Sequence, residues 1–212
     1  MTTEEIKDYV DSVIEETSAD DDFTLRINAV KEEIETDREW EYLKKTQSYT
    51  IPALYTTTQA LPTDFESAYR VVSSDGYIQY NPIDFADRDI FKDLPYVYYI
   101  DYANSAIGFS NGSGDTVTLY YKKETPDLDL ISSNPLMPSN FHKMLAYKYI
   151  VDYFMGEDTD DVNNIKARMW QNRFQSLFNK MVDWDAKIKS SSTGERPIPS
   201  EDYLTSKGIS WR

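Results

Sequence analysis

The chain of 212 residues has no cysteine, one histidine and seven glycines. Without cysteine there are no disulfides and no thiolate metal sites, which fits a protein made in a reducing cytoplasm. A lone imidazole, His142, leaves a zinc site short of ligands, and no metal or other cofactor is expected. The few glycines form no phosphate cradle, because Gly108, Gly112 and Gly114 do not open a helix. No apolar run is long enough to span a bilayer and no basic-plus-apolar leader stands at the start, so a membrane is not an expected partner. Bases are scarce as well: 22 Lys and Arg face 37 Asp and Glu, for a net charge of −15. Such a surface repels phosphate and argues against nucleic-acid binding, specific or general.

What is present is an ordinary globular composition, 40% hydrophobic and 28% charged, in a chain long enough for one core or one core with a satellite. The acid lies at the front, with fifteen acidic against six basic residues over positions 1–50, whereas 151–212 are close to balanced. Helical periodicity marks about 3–16, through Ile6, Tyr9, Val10, Val13 and Ile14, and about 23–43, through Phe23, Ile27, Val30, Ile34 and Trp40. From Thr46 the composition turns strand-like. Candidate strands cover 46–51, 54–61, the end of an ambiguous 64–72 stretch, 77–80, 96–102, 106–110 and 116–122, and Asp75-Gly76 marks a hairpin. Helix returns from Ser139 or Asn140 to about Met155, apolar almost all round, and again over about 161–189 through Val162, Ile165, Met169, Phe174, Leu177, Met181, Trp184 and Ile188. The stretch 190–212 has no period. The expected fold is α+β: an antiparallel helical bundle from both chain ends (1–45 and 136–190), a small inserted antiparallel β-rich subdomain (46–135), and an extended C-terminal arm (191–212).

Few motifs carry chemistry. Gly108-Phe109-Ser110-Asn111-Gly112 spells a nucleophile elbow, but that motif needs a strand–turn–helix and an imidazole base. Here it falls in a hairpin, and a turn explains it better than a hydrolase using Ser110. Asp20-Asp21-Asp22, Asp127/Asp129 and Asp158/Asp160/Asp161 lack the spacing of a calcium loop and read as helix-start caps. Asn111-Gly112-Ser113 fits a glycosylation acceptor and reads as a turn. On the last helix Lys166, Arg173, Lys180 and Lys187 form a basic face. A solvated surface is the plain reading; a subunit contact with the acidic N-terminal helices of a neighbour is the sharper one. In the arm, Ile198, Tyr203, Leu204, Ile209 and Trp211 are spaced apolar anchors for a portal or subunit contact.

Leu61-Pro62-Thr63-Asp64-Phe65 leads into the strands. Leu136-Met137-Pro138-Ser139-Asn140-Phe141-His142 opens an apolar helix that runs to Tyr153-Phe154 and an acidic turn, and Trp170-Gln171-Asn172-Arg173-Phe174 lies on the last helix. Over roughly 1–190 the chain resembles the head-to-tail adaptor, or head-completion, proteins of tailed bacteriophages. The resemblance implies a non-enzymatic virion neck protein, made in the host cytoplasm. It implies a ring, twelve-fold in such adaptors, that binds the portal protein and the tail or nozzle proteins. Double-stranded DNA would pass through an acidic lumen without specific binding. A tail-tube or tail-completion protein, or another minor neck protein, is the alternative, and a hydrolase using Ser110 is the third reading.

Overall fold

The structure, a computed structural model, describes residues 1–110, 114–131, 133–156 and 161–192. Two compact units are present. One comprises Met1–Tyr42 and the described residues from Leu128 onward, the other Leu43–Asp127.

Helices make the first unit. Helix α1 (Thr3–Ile14) opens on a capping box, in which the Glu5 N–H donates to the Thr2 hydroxyl and the Thr2 N–H to the Glu5 carboxylate. These bonds satisfy two of the donors that a helix start leaves open. Its apolar face buries Ile6, Val10 and Ile14. Helix α2 (Asp20–Thr36) carries three aspartates in its first turn, where negative charge suits the helix dipole, and buries Phe23, Ile27, Val30 and Ile34. It stops short of the expected residue 43 because Trp40, fully buried, folds back and donates its indole N–H to the Ile34 carbonyl at 2.7 Å. A 3₁₀ turn at Glu41–Leu43 follows. Helix α3 (Lys143–Gly156) is the centre, burying Met144, Leu145, Ala146, Tyr149, Ile150, Val151 and Phe154, and α1, α2 and α4 (Asp161–Ser192) all pack against it. Sealing each such side chain contributes on the order of 1.5–3 kcal/mol. Helix α4 has 32 residues and is about 48 Å long at 1.5 Å per residue.

Strands make the second unit: β1 (Lys44–Thr50), β2 (Gln59–Ala60), β3 (Phe65–Ser73), β4 (Gln79–Pro82), β5 (Val97–Asp101), β6 (Ala106–Phe109) and β7 (Thr116–Lys123). They form one sheet in the order β1-β7-β3-β4-β5-β6-β2. Asp75-Gly76 does turn the chain between β3 and β4. Gly76 adopts φ +78°, which a side chain would resist, and Val71 and Val72 pair with Tyr80 and Gln79. The two edges approach each other: the Gln59 amide donates to the Thr50 carbonyl at 2.6 Å and the Tyr49 hydroxyl to that of Ala60 at 3.1 Å. The sheet is thus close to a closed barrel around Val71, Ile107, Val117 and Leu119, with Tyr49, Tyr80, Tyr98, Phe109 and Tyr121. Closure relieves the exposed-edge problem of an open sheet.

This corrects the expected fold class. The β part is not a small antiparallel insert on a helical bundle. Four helices accompany a seven-stranded mixed sheet with its own core, in which β4 and β5 run parallel. Parallel pairing follows from the long excursion over residues 83–96, which carries the chain back to start β5 beside Asn81 and Pro82 of β4 rather than turning tightly. Two local expectations also change. Residues 54–56 are bend and turn and 57–58 are irregular, leaving only the short β2, and the ambiguous stretch is strand from Phe65 to Ser73.

Candidate interaction surfaces

Positions 166, 173, 180 and 187 recur every seven residues, nearly two helical turns, so these cations run as one stripe along α4. All four are exposed. The Lys166 ammonium lies 5.0 Å from the centre of the Phe154 ring, and the Arg173 guanidinium stacks 4.4 Å over Trp170. Arg173 and Lys180 also line a groove of about 470 Å³ whose far wall is Asn140, Lys143 and Tyr147. Lys143 sits 5.9 Å over the Tyr9 ring, and Tyr147 packs on Trp170 at 5.4 Å. Among the described residues no ion pair holds Lys143, Arg173 or Lys180. Burial pushes the Tyr9 phenol up, Tyr147 adds to this, and the nearby Arg173 charge opposes it. Two of the three cations thus lie over aromatic rings, and a groove edged by such cations suits an acidic chain laid across it. Sequence reasoning did not single out Lys143. Its signal was the spacing Asn140, Lys143, Tyr147, which puts the three on one face of the third helical segment.

The start of α4 departs from the expected core stripe. Val162, Ile165 and Met169 are 58%, 67% and 45% exposed, whereas Ala167, Trp170 and Met181 are buried. Three apolar side chains at i, i+3 and i+7 therefore make a ridge on the surface of α4, next to Lys166 in sequence.

The remaining candidates resolve into structural roles. His142 is buried, its Nε2 2.8 Å from the Met137 carbonyl and its Nδ1 2.7 Å from that of Met1. Ser110 ends β6 in the other unit, buried, and donates its hydroxyl to the Leu94 and Val97 carbonyls. Gly108 within the same motif is required by packing: a Cβ there would fall 2.2 Å from the Tyr99 ring. Asp20, Asp21 and Asp22 do start a helix, but Asp127 and Asp129 lie outside any helix, and the Asp129 carboxylate accepts from the Ile131 N–H at 2.9 Å across a turn. Asp158 and Asp160 and the arm residues Ile198, Tyr203, Leu204, Ile209 and Trp211 lie outside the described residues. No acidic or histidine cluster suited to a metal occurs among the described residues, and no helix there is long and apolar enough to cross a membrane.

The barrel wall is open beside β3 and β5. Strand β3 pairs with β4 only at Val71 and Val72, and β5 pairs with β4 only at Val97 and Tyr98. Register shifts against β7 at Glu66 and Tyr69 bend the first half of β3. Ile83 still donates its N–H to the Tyr98 carbonyl at 2.9 Å, and beyond it the chain leaves the sheet as Asp84 caps a 3₁₀ turn at Phe85–Asp87, its carboxylate accepting from the Ala86 N–H at 3.0 Å. A cleft of about 650 Å³ remains, lined by residues 67–69 of β3, by Pro82–Phe85 and by Tyr98–Ala103.

No curated protein matches this chain. The family model described as SU10 adaptor protein matches residues 1–197, nearly the full length, in agreement with the head-to-tail adaptor resemblance read from the residues. The chain belongs to the SU10 adaptor protein family.

Proposed function

We propose that this protein is a structural component of the virion neck of a tailed phage, forming a ring between portal and tail that extends the DNA channel. The observation that carries the proposal is the SU10 adaptor match across residues 1–197. An adaptor is a structural role, and the reading assigns it no enzymatic activity. Two surfaces support it. The aromatic groove with Lys143, Arg173 and Lys180 complements the acidic segments around Glu4, Glu5 and Asp20–Asp22, which are exposed on the same type of chain. Cationic groove and acidic helix starts are different patches, so their meeting between copies is head-to-tail, and such contacts close into a ring when the rotation permits. The exposed ridge of Val162, Ile165 and Met169 offers apolar area to the same contact.

Twelve copies is the number assigned to the ring, with the portal protein above and tail or nozzle proteins below. A net charge of −15 lets double-stranded DNA slide past, because phosphate meets few cations. The arm residues Ile198, Tyr203, Leu204, Ile209 and Trp211 are assigned to the portal or to a neighbouring copy. The test is to mix purified protein with its cognate portal and examine the mixture by sedimentation velocity and electron microscopy. Ring-shaped complexes containing both proteins are expected, and absence of any association overturns the reading.

A further inference from the structure

We propose that the exposed face of α4 from Val162 to Lys180 receives α2 of a second copy of this chain, the two helices running antiparallel. Neighbouring copies are supplied by the adaptor reading, on which this pairing rests. Val162, Ile165, Met169, Arg173, Ser176 and Lys180 are exposed and recur at three- and four-residue intervals. Ridge and groove are therefore one continuous stripe, apolar at its start and cationic beyond. The outward stripe of α2 carries the complement in reverse order. Asp21, Leu25, Ala29 and Glu32 are exposed at the same intervals, and Leu25, 72% exposed, is an apolar side chain set among acids. At the start of α2, Asp20 approaches Lys7 at 3.6 Å and Asp22 meets Arg26 at 3.1 Å. Among the described residues no ion pair holds Asp21, as none holds Arg173 on α4.

Laid antiparallel, the two stripes match turn by turn. Asp21 faces Arg173, Leu25 faces Met169 and Ala29 faces Ile165, each step being four residues, about 6 Å, on both helices. Lys180, nearly two turns further on, leans back toward Asp21, because helical side chains tilt toward the start of their own helix. At the third pair the receiving surface is concave. A hollow of about 330 Å³ lies beside Ala29, with Val30 and Tyr149 in its wall, and the small Ala29 side chain leaves room for Ile165 to enter it. On the rim, Glu33 and Asp152 share Lys148 at 3.2 and 3.0 Å, while Arg26 is turned to Asp22. Two carboxylates on one ammonium leave that rim acidic, which suits Lys166, the neighbour of Ile165. A parallel pairing that seats Leu25 on Ile165 would instead strand Asp21 about 18 Å along the axis from Arg173. The α4 stripe and the α2 stripe are different surfaces, so each chain gives one and receives one, the head-to-tail relation that closes rings.

Because the chain has no cysteine, single introduced thiols report the contact without background. Full-length Ala29→Cys and full-length Ile165→Cys, both at exposed positions, are mixed under mild oxidation, with and without the cognate portal. As the control, Ser176→Cys, on the same stripe but about 16 Å from position 165, replaces Ile165→Cys. Disulfide-linked heterodimer should form at least ten-fold faster with Ile165→Cys than with the control in one mixture or both. Adding Leu25→Asp to the Ala29→Cys chain should bring the rate down to the control. Thr36→Cys with Ser176→Cys reports the parallel arrangement, which would set those positions opposite each other, and should link no faster than the control. Circular dichroism verifies that each variant is folded. A link between positions 29 and 165 no faster than the control in both mixtures overturns the proposal. So does a link insensitive to Leu25→Asp, or a fast link between positions 36 and 176. Portal association of the parent protein is measured in parallel by sedimentation velocity. Its presence without the 29–165 link sinks the helix pairing and leaves the adaptor reading standing, and the link without portal association does the reverse.

Discussion

The helical unit and the sheet unit distribute their unsatisfied groups differently. In the sheet unit, some charged side chains are paired from strand to strand. Asp64 receives hydrogen bonds from Lys45 and from the Tyr121 hydroxyl, the latter at 2.9 Å, and Lys122 pairs with Glu66 at 2.6 Å. Its core residues face the barrel, and the large apolar side chains it exposes, among them Leu54, Tyr77, Ile90 and Tyr102, are scattered along the chain. The helical unit instead leaves side chains open: three cations along one groove and an apolar ridge on α4. The sheet unit thus uses its charges to tie strands together, whereas the helical unit keeps cations and apolar area along one helix, where charge can select a partner.

The sharpest test of this comparison removes each core separately. Trp40→Ala, in the helical unit, should cost about 3–5 kcal/mol, because a fully buried indole and its hydrogen bond to Ile34 are both lost. Leu119→Ala, at the centre of the sheet unit, should cost about 2–5 kcal/mol. Hydrogen exchange read peptide by peptide should show protection falling mainly over residues 1–42 and α3 in the first variant and over 43–127 in the second. Uniform loss across both units in either variant would mean that the two cores are one cooperative block. Next in size is Gly108→Ala. With the Tyr99 ring 2.2 Å from the new Cβ, the strand or the ring must shift, and a loss of about 1–3 kcal/mol is expected in denaturant melts. An unchanged midpoint would show that this part of the barrel wall is loosely packed.

A smaller effect separates the units by pH. The Lys45 hydrogen bond, helped by the Tyr121 hydroxyl, holds the Asp64 carboxyl below the usual carboxylate range, burial only partly opposing it. Its contribution is thus present above the unfolded carboxylate value, near 3.9, and is lost as pH falls through the lower folded value. Tyr121 moves the other way. Burial, then Asp64, raise its phenol to about 12, so its contribution is full below the unfolded value of roughly 10 and fades as pH rises through the folded one. Asp64→Asn should reduce the acid dependence of sheet-unit stability, by at most about 1 kcal/mol given the exposure of the pair. An acid profile identical to that of the parent protein would rule out this carboxylate as a strand tie.

How much of this was legible in the sequence depended on what the period could carry. Starts and stops of α1, α3 and α4 and of β5, β6 and β7 lie within a few residues of the pattern, because capping residues and alternation are local signals. The end of α2 was not legible: Trp40 continues the helical stripe on paper, but its indole bonds back to Ile34 and breaks the helix. Nor was the mixed sheet. Parallel pairing of Asn81 and Pro82 with Val97 and Tyr98 and the bridge from Gln59 to Thr50 join residues that no window on the sequence connects. The basic stripe was visible from its seven-residue spacing, but Lys143, across the groove from it, sits on another element. The ridge of Val162, Ile165 and Met169 keeps the helical period yet stays exposed, because an amphipathic period states which side of a helix is apolar, not what covers that side.

That last point gives the prediction with the smallest effect on the monomer. Ile165→Ser removes an apolar side chain that is already 67% exposed, and Lys180→Glu alters an exposed cation that no ion pair holds among the described residues. Each should change the unfolding free energy of the isolated protein by no more than about 0.5 kcal/mol. Both should nevertheless weaken association between copies, measured by sedimentation velocity, by ten-fold or more at low salt. For Lys180→Glu the deficit should shrink as salt rises and screens the repulsion, whereas for Ile165→Ser it should persist, since apolar burial is not screened. Asp21→Lys in the partner copy should restore association to Lys180→Glu and leave Ile165→Ser unrepaired. If the charge swap restores nothing, the groove on α4 does not meet the acidic start of α2, and the two patches serve different neighbours.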